Sequence, residues 1–378
     1  MRRIPFNRPS FGADEQSALL ASASGSHHSG GGPFTEAAER LLSDMHLGAP
    51  ALLTSSCTHA LEMAARLLGL GDGDEVIVPS YTFVSSALAF VMTGAKPVFV
   101  DVRDDNLNLD ESLIQEAINP ATKAIVVVNY GGISADYSKI KRVAEENGLW
   151  VIEDNAHGLG AFGQGGEPLG TFGDISTVSF HETKNVSCGE GGAIILNNSG
   201  LLERAEILRD KGTNRSQFFR GMTDKYRWVD YGSSWIVSDL LASVLPSQLS
   251  RLQEINEYRR TIWHKYSQGL SDWARAEGVR LQPEPTDTSS AHLFYLRLPD
   301  LESRTKLIQH LETVKIGSAF HYQALNTSPM AKKLSPRLSS CPVSEEVSDT
   351  LLRLPVHLSL TEADVNRVVE EVNSFKKA

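Results

Sequence analysis

The sequence has few cysteines, only Cys57, Cys188 and Cys341 in 378 residues. Their odd number and lack of metal-type spacing exclude a disulfide framework and favour a reduced, cytoplasmic protein without a bound metal. No run of about 18 or more apolar residues is present, so no membrane span is expected. Arg2 and Arg3 stand at the start without an apolar segment behind them, and a secretory signal is therefore not predicted.

Positive charge is also scarce. The net charge is −10, from 36 Lys and Arg against 46 Asp and Glu. Nucleic acids and anionic membrane surfaces are therefore not expected as partners, and an anionic substrate would need a locally basic pocket. No Gly-x-Gly-x-x-Gly follows the first predicted strand, which argues against a nicotinamide-dependent oxidoreductase. The chain lacks internal repeats, and its one Ser, His and Gly cluster at 22–32 predicts either a loop or a glycine-rich lip over a site.

Apolar runs alternate with amphipathic segments, and the length favours two unequal domains. The predicted strands are 51–53, 75–78, 97–100, 124–129, 149–153, 175–180, 192–196, 292–298 and 316–322. The predicted helices are 59–68, 81–92, 111–118, 139–147, 201–211, 238–273, 304–314 and 362–375. This pattern predicts an α/β protein with a mostly parallel sheet in a large domain, residues 1–250, and a smaller C-terminal α/β domain, residues 251–378.

Asp154 and Lys184 are the most informative pair of residues. Each follows a short apolar run that predicts a buried strand. Ligands of open α/β sheets bind at the carboxyl ends of the strands. Pyridoxal phosphate needs a lysine for its Schiff base and an acid that keeps its pyridine nitrogen protonated. A surface lysine and a capping aspartate would explain each residue alone, but the two together favour this cofactor.

The mechanism that we expect depends on Lys184. It would first bind the cofactor covalently and then, once displaced, move a proton between substrate and cofactor. Partial burial beside a cationic ring should lower its pKa towards neutrality.

Other residues near predicted strand ends have two interpretations each. The run Thr54–Leu61 predicts either an anion site at a helix N-terminus or a simple N-cap. Tyr81 and Phe83 are each interpreted either as an aromatic that stacks on a planar ring or as a core residue. His157, Ser179 and His181 are candidates for the ring oxygen, the phosphate and the substrate, and both histidines also fit structural roles.

Five motifs in order carry a resemblance to a known family. They are S-C-T-x-A-L-E, V-P-S-Y-T-F-V-S, E-D-x-A-H, S-F-H-E-T-K-N and G-E-G-G-A. Together they resemble the DegT/DnrJ/EryC1/StrS sugar aminotransferases. The resemblance implies the type I fold of pyridoxal phosphate enzymes, which is that of aspartate aminotransferase. It implies Lys184 as the Schiff-base lysine, Asp154 as the pyridinium partner, His157 near the ring oxygen, Phe83 as the stacking aromatic, and Cys57, Thr58 and Ser179 as phosphate contacts.

The resemblance also implies a homodimer with active sites at the subunit interface. A loop of the partner chain then completes the phosphate site, and its usual form resembles G-Y-N-Y-R. The matching stretch here is Gly232-Ser233-Ser234-Trp235-Ile236. Asn and Arg are therefore absent, and Ser234 would replace the Asn contact.

The segment 211–221 narrows the expected substrate. It is similar to the branch of the family that aminates C4 of dTDP-4-dehydro-6-deoxy-D-glucose with L-glutamate, which gives dTDP-4-amino-4,6-dideoxy-D-galactose and 2-oxoglutarate. A gluco-configured product, another nucleotide ketosugar aminated at C3 or C4, and a non-catalytic sensor stay open as alternatives. Relatives that act as 3-dehydratases have a histidine in place of Lys184, so transamination is preferred.

Candidate substrate contacts are His181, His321, Tyr322 and the basic residues Lys211, Arg215, Arg220 and Lys225. The four basic residues would otherwise belong to a solvated loop.

Overall fold

A seven-stranded sheet lies at the centre of the larger part of the molecule. The computed structural model describes residues 2–283, 288–337 and 339–376. The strands are β1 (Ala51–Thr54), β2 (Glu75–Pro79), β3 (Lys96–Val100), β4 (Thr122–Val128), β5 (Trp150–Asp154), β6 (Ile175–Ser179), β7 (Gly192–Leu196), β8 (Arg280–Leu281), β9 (Phe294–Arg297) and β10 (Leu351–Leu354). The helices are α1 (Ala13–Ser24), α2 (Pro33–Met45), α3 (Cys57–Leu67), α4 (Ser85–Val91), α5 (Ile114–Ala117), α6 (Tyr137–Asn147), α7 (Leu202–Arg209), α8 (Arg215–Phe219), α9 (Asp239–Ala242), α10 (Leu245–Ser250), α11 (Leu252–Glu277), α12 (Leu301–Thr313), α13 (Ala331–Leu334), α14 (Pro342–Thr350) and α15 (Glu362–Ser374).

The sheet order is β1-β7-β6-β5-β4-β2-β3. The pairs from β3 to β6 are parallel, whereas β7 pairs antiparallel with both β6 and β1. Strands rich in Val and Ile with both faces covered by helices are typical of such sheets. The predicted mostly parallel α/β fold is therefore confirmed. Asp154 pairs with Thr177, so the strands that precede Asp154 and Lys184 are neighbours, as predicted.

A three-stranded antiparallel sheet, in the order β10-β9-β8, forms a second and smaller layer. It packs with α11, α12 and α15 around a separate apolar cluster that includes Trp263, Phe294 and Val368. Ile4 belongs to the same cluster, and its N–H donates to the Lys315 carbonyl at 2.9 Å. The N-terminal residues thus pack on the C-terminal layer. A division of the chain at residue 250 stays a prediction.

Two predicted elements are wrong. The expected helix over 238–273 is broken into α9, α10 and most of α11, with Pro246 in the first turn of α10, where its missing N–H costs no hydrogen bond. The expected strand over 316–322 forms only single bridges, Ile316 to Ile4 and Ala319 to Arg353. Gly317 lies against the Phe6 backbone, where a Cβ would come within 2.5 Å of the Phe6 nitrogen.

The helices α1 and α2 were not predicted. The buried residues of α1 are Glu15 and Ser22, so this helix has no apolar stripe that a sequence pattern would reveal. The Ser, His and Gly cluster at 22–32 connects the two helices, and none of its residues lines the cavity that is described below. Within the described residues, no helix combines the length and the apolar character needed to cross a bilayer.

Asp239 provides a test of how α2 is held. Its fully buried carboxylate accepts hydrogen bonds from the Thr35 N–H and Oγ1, both at 2.7 Å, at the start of α2. We expect Asp239→Ala to lower the free energy of unfolding by roughly 2–4 kcal/mol, since buried donors lose their acceptor. Urea denaturation measures this loss. The control is Asp136→Ala at the exposed N-cap of α6, which should cost about 1 kcal/mol; equal losses would contradict the assignment.

Candidate active site

A cavity of about 590 Å³ opens where the large sheet meets the smaller layer. Its floor is formed by the carboxyl ends of three parallel strands, at Val128, Asp154 and Ser179. The first turn of α3 and the turn that carries Lys184 form one side. Residues from the smaller layer and from the N-terminal segment form the other. This is the position at which open α/β sheets bind ligands.

Asp154 lies buried at the end of β5. Its Oδ2 accepts a hydrogen bond from Ser86 Oγ at 2.7 Å, and its Oδ1 accepts one from the Ala156 N–H at 3.2 Å. Burial raises the pKa of this carboxyl group, and the hydrogen bond from Ser86 opposes that shift. The carboxylate is thus fixed in direction but has no cationic partner at ion-pair distance among the described residues, which leaves capacity for a donor in the cavity.

Lys184 lies in the turn after β6, half-buried and facing the same cavity. Burial lowers the pKa of its amine to about 8, while the nearby Cys57 and Asp154 act in the opposite direction. The turn is rigid because Asn185 Nδ2 donates to Asn256 Oδ1 at 2.8 Å and to the Ser290 carbonyl at 2.9 Å. About a tenth of this amine is therefore uncharged, and thus nucleophilic, at pH 7, far more than for an ordinary lysine with a pKa of about 10.4.

The first turn of α3 fits an anion. Ser56 caps the helix by accepting from the His59 N–H, and Cys57 and Thr58 follow with their backbone N–H groups at the helix N-terminus. Ser179 lines the same region. Gly192 is required here, because a Cβ at that position would lie 2.4 Å from the Cys57 nitrogen. Cys57, Thr58 and Ser179, which are far apart in sequence, are thus brought to one cavity.

Of the two candidate aromatics, Phe83 lines the cavity and Tyr81 does not. Phe83 is 54% exposed, whereas Tyr81 is 1% exposed and packs against the Tyr130 and Tyr322 rings. Tyr81 is therefore the core residue of the pair. Phe83 is the aromatic of the pair that a planar ligand in the cavity would meet.

The three candidate histidines also line the cavity. His157 is buried with its ring stacked on His292 at 4.3 Å between centroids, and its Nε2 lies 3.2 Å from the Tyr322 hydroxyl. His321 Nδ1 lies 2.7 Å from the Tyr130 hydroxyl. Burial lowers the pKa of His157, and likewise that of His321, well below the usual value. His181 is half-exposed beside Thr183.

The other sequence candidates lie outside the cavity of their own chain. Lys211 Nζ contacts Asp210 at 2.8 Å, Arg215 contacts Asp210 at 3.6 Å, and Arg220 pairs with Glu206. Ser234 is exposed and forms a single bridge with Asp210. The structure therefore does not bring these basic residues, Lys225 or Ser234 to Lys184 of the same chain.

The cations that do line the cavity, Arg259 and Arg353, were not predicted. The Arg353 guanidinium lies 4.8 Å from the centre of the Phe6 ring, and its Nη2 donates to the Phe320 carbonyl at 2.9 Å. Arg259 is buried and donates to main-chain carbonyls, and burial lowers its pKa to about 9. Neither has an acidic partner within 4 Å in the residues that the structure describes. A charged residue inside the apolar run Leu351–Leu354 was the available signal for Arg353.

Comparisons with known proteins agree with this geometry. A model of the DegT/DnrJ/EryC1/StrS aminotransferase family matches residues 9–373. The putative sugar aminotransferase Spr1654 from Streptococcus pneumoniae, in its PMP form, is 27% identical with a TM-score of 0.90, over 98% of each chain. The aminotransferase TlmJ from Streptoalloteichus hindustanus is 31% identical with a TM-score of 0.89, over 99% of this chain and 98% of that one. DesV from S. venezuelae, solved with a ketimine intermediate, is 30% identical with a TM-score of 0.86, over 99% and 98%.

The amine of Lys184 should be unusually reactive near neutral pH. In protein stripped of small molecules, competitive acylation followed by peptide mass spectrometry should give a midpoint near pH 8, with reactivity rising as the amine loses its proton. Asp154→Asn should move the midpoint down, because the carboxylate charge favours the protonated amine. A midpoint near the ordinary lysine value of about 10.4 would contradict the assignment.

Proposed function

Because the chain belongs to the DegT/DnrJ/EryC1/StrS aminotransferase family, we propose that it aminates C4 of dTDP-4-dehydro-6-deoxy-D-glucose with L-glutamate, giving dTDP-4-amino-4,6-dideoxy-D-galactose and 2-oxoglutarate. It is a sugar aminotransferase that uses pyridoxal phosphate, as its structural neighbours do. The observation that carries the proposal is one cavity that contains both the Lys184 amine and the Asp154 carboxylate.

The residues around the cavity fit this cofactor. The buried carboxylate of Asp154 would accept the pyridine N–H, and the first turn of α3 with Ser179 would hold the phosphate. Phe83 would cover one face of the ring, and His157, which lines the same cavity, would lie on the side of the ring that bears its oxygen. When bound, pyridoxal phosphate withdraws electrons from the carbon that bears the amino group.

Lys184 would hold the cofactor and carry the proton. A pKa near 8 lets one amine serve in both directions, because it accepts a proton from a carbon acid and returns it without a large free-energy difference. The hydrogen bonds of Asn185 would hold the turn from which the amine extends.

The anionic groups of both substrates need cations in the cavity. Glutamate carries two carboxylates and the nucleotide sugar carries a diphosphate. Arg353 and Arg259, which have no acidic partner among the described residues, are placed for this task in the chain's own cavity. Lys211, Arg215 and Arg220 would act only from a partner chain.

We also propose that the protein is a cytoplasmic homodimer with interfacial active sites. The segment between α7 and α9 exposes a set of large apolar side chains, which is unusual for a free surface. These are Phe219, Met222, Trp228, Val229 and Tyr231, of which Trp228 is 80% exposed. Ser234 follows directly, so docking of this segment on a second copy would carry Ser234 towards the partner's phosphate site.

The reaction is tested by incubating the holoenzyme with L-glutamate and dTDP-4-dehydro-6-deoxy-D-glucose and resolving the product by NMR. An axial C4 amine is expected. Lys184→Ala should lose nearly all turnover, and Arg353→Gln should raise the KM for the substrate whose anionic group it binds. An equatorial C4 amine would mean that the product is the gluco isomer. An amine at C3 would mean that the enzyme aminates a different carbon from the one proposed. Glutamate consumption without any sugar amine would overturn the choice of sugar, and no cofactor conversion at all would favour a sensor.

The interface is tested by sedimentation velocity. The wild-type mass in solution should be twice the 41.3 kDa of one chain. Trp228→Glu with Tyr231→Glu should shift the protein towards monomer and lower cofactor affinity, because the partner's contribution to the phosphate site is lost. The control is Tyr258→Glu, which replaces a partly exposed tyrosine on α11. A wild-type monomer with full activity would contradict the proposal.

A further inference from the structure

A short hydrogen-bond chain joins the main chain to the cavity. The Gly131 N–H donates to His157 Nδ1 at 3.3 Å, and His157 Nε2 lies 3.2 Å from the Tyr322 hydroxyl. Gly131 and His157 belong to the large sheet, following β4 and β5, while Tyr322 comes from the smaller layer. The chain therefore crosses the cleft between the two layers.

The direction of these hydrogen bonds follows from chemistry. A backbone N–H can only donate, so the nitrogen that it meets, Nδ1 of His157, must carry no proton. Since burial disfavours the imidazolium form, the single ring proton is on Nε2. Nε2–H then donates to the Tyr322 oxygen. The tyrosine hydroxyl is thus already an acceptor for His157, and its own hydrogen must point elsewhere.

The hydroxyl hydrogen of Tyr322 has no acceptor among the described residues and is free to be donated into the cavity. Among the described residues, the Tyr322 hydroxyl has no hydrogen-bond partner besides His157. The ring is held by His321, with centroids 3.5 Å apart, and by Tyr81 at 5.7 Å. Burial raises the pKa of Tyr322 above the ordinary value, so the group stays a neutral donor. Tyr322 lines the same cavity as Lys184.

We propose that Tyr322 donates a hydrogen bond to an oxygen of the bound molecule beside Lys184, and that His157 is the residue that positions Tyr322. This inference rests on the proposed function. The acceptor is either the ring oxygen of the cofactor or an oxygen of the sugar at the reacting carbon. The two differ in when the hydrogen bond exists, since the first is present in the resting holoenzyme and the second only with the sugar.

Tyr322→Phe separates these two sources. If the acceptor belongs to the cofactor, the visible band of the resting holoenzyme shifts and cofactor affinity falls, on the order of 10- to 100-fold for a charged acceptor. If it belongs to the sugar, the resting spectrum and the glutamate half-reaction stay as in wild type, while the sugar half-reaction slows by a similar factor. Tyr81→Phe is the matched control and should change neither, because its hydroxyl does not line the cavity. Unchanged spectra and half-reactions in Tyr322→Phe would overturn the proposal.

The positioning role of His157 is tested by coupling. His157→Gln should retain most of the wild-type behaviour, because an amide also accepts with oxygen and donates with nitrogen. His157→Leu should reproduce the defect of Tyr322→Phe and add little to it in the double variant. Additive defects would mean that His157 acts on the ligand by itself, and would overturn this part.

The same experiments distinguish failure of the inference from failure of the proposed function. The resting spectrum, the cofactor affinity and the glutamate half-reaction need no sugar. An enzyme that converts its cofactor with glutamate but rejects the dTDP sugar would refute the substrate only. The role of Tyr322 would then be judged from the resting spectrum and the cofactor affinity of Tyr322→Phe. If neither differed from wild type, the proposal would be overturned.

Discussion

The pairing of β5 with β6 is the constraint on which the site depends. Glu153 and Asp154 are adjacent carboxylates at the end of β5, and side chains on a strand alternate between faces. Glu153 points away from the cavity, where it is saturated by donors from the Gly170, Phe172 and Gly173 N–H groups and from Asn129 Nδ2. Asp154 points into it with fewer donors. A shift of one residue in the strand register would turn Glu153 into the cavity and Asp154 away from it. The loop N–H groups that donate to Glu153 therefore stabilise the register in which Asp154 faces the cavity.

Burial of this site by two layers produces its electrostatics. The smaller layer contributes His321, Tyr322 and Arg353, and Phe6 closes the wall beside Arg353. Low solvent access disfavours every charged form that lacks a partner, which lowers the pKa of Lys184 and of the neighbouring histidines together. Burial lowers the pKa of Arg353 as well, but a guanidinium stays charged, and it has no counter-ion among the described residues. The cavity therefore has neutral histidines and an easily deprotonated lysine at its centre, and an arginine cation at its edge.

Local sequence patterns were sufficient to predict the strands of the large sheet and the strand ends that are followed by the site residues. The apolar runs before Asp154 and Lys184 predicted adjacent strands because a buried strand is a continuous local signal. Contacts between the layers left no such signal, since His157 and Tyr322 are 165 positions apart. The sequence suggested that the basic residues around Lys211 line the cavity of their own chain, and they do not. Lys211 pairs with Asp210 and Arg220 with Glu206, and these ion pairs form only in the folded loop. Helix α1 lacked an apolar stripe altogether.

One cavity must accept two chemically different substrates in turn, an amino donor and a sugar. Their shared feature is the carbon that exchanges nitrogen at Lys184, so contacts near that amine must serve both. The wall at this point is made of neutral groups, namely the His157 ring and the Tyr322 hydroxyl, whereas Arg353 lies beside the Phe6 ring. A neutral wall imposes no charge preference at the reacting carbon, which allows discrimination to arise from the cations and from the shape of the cleft between the two layers.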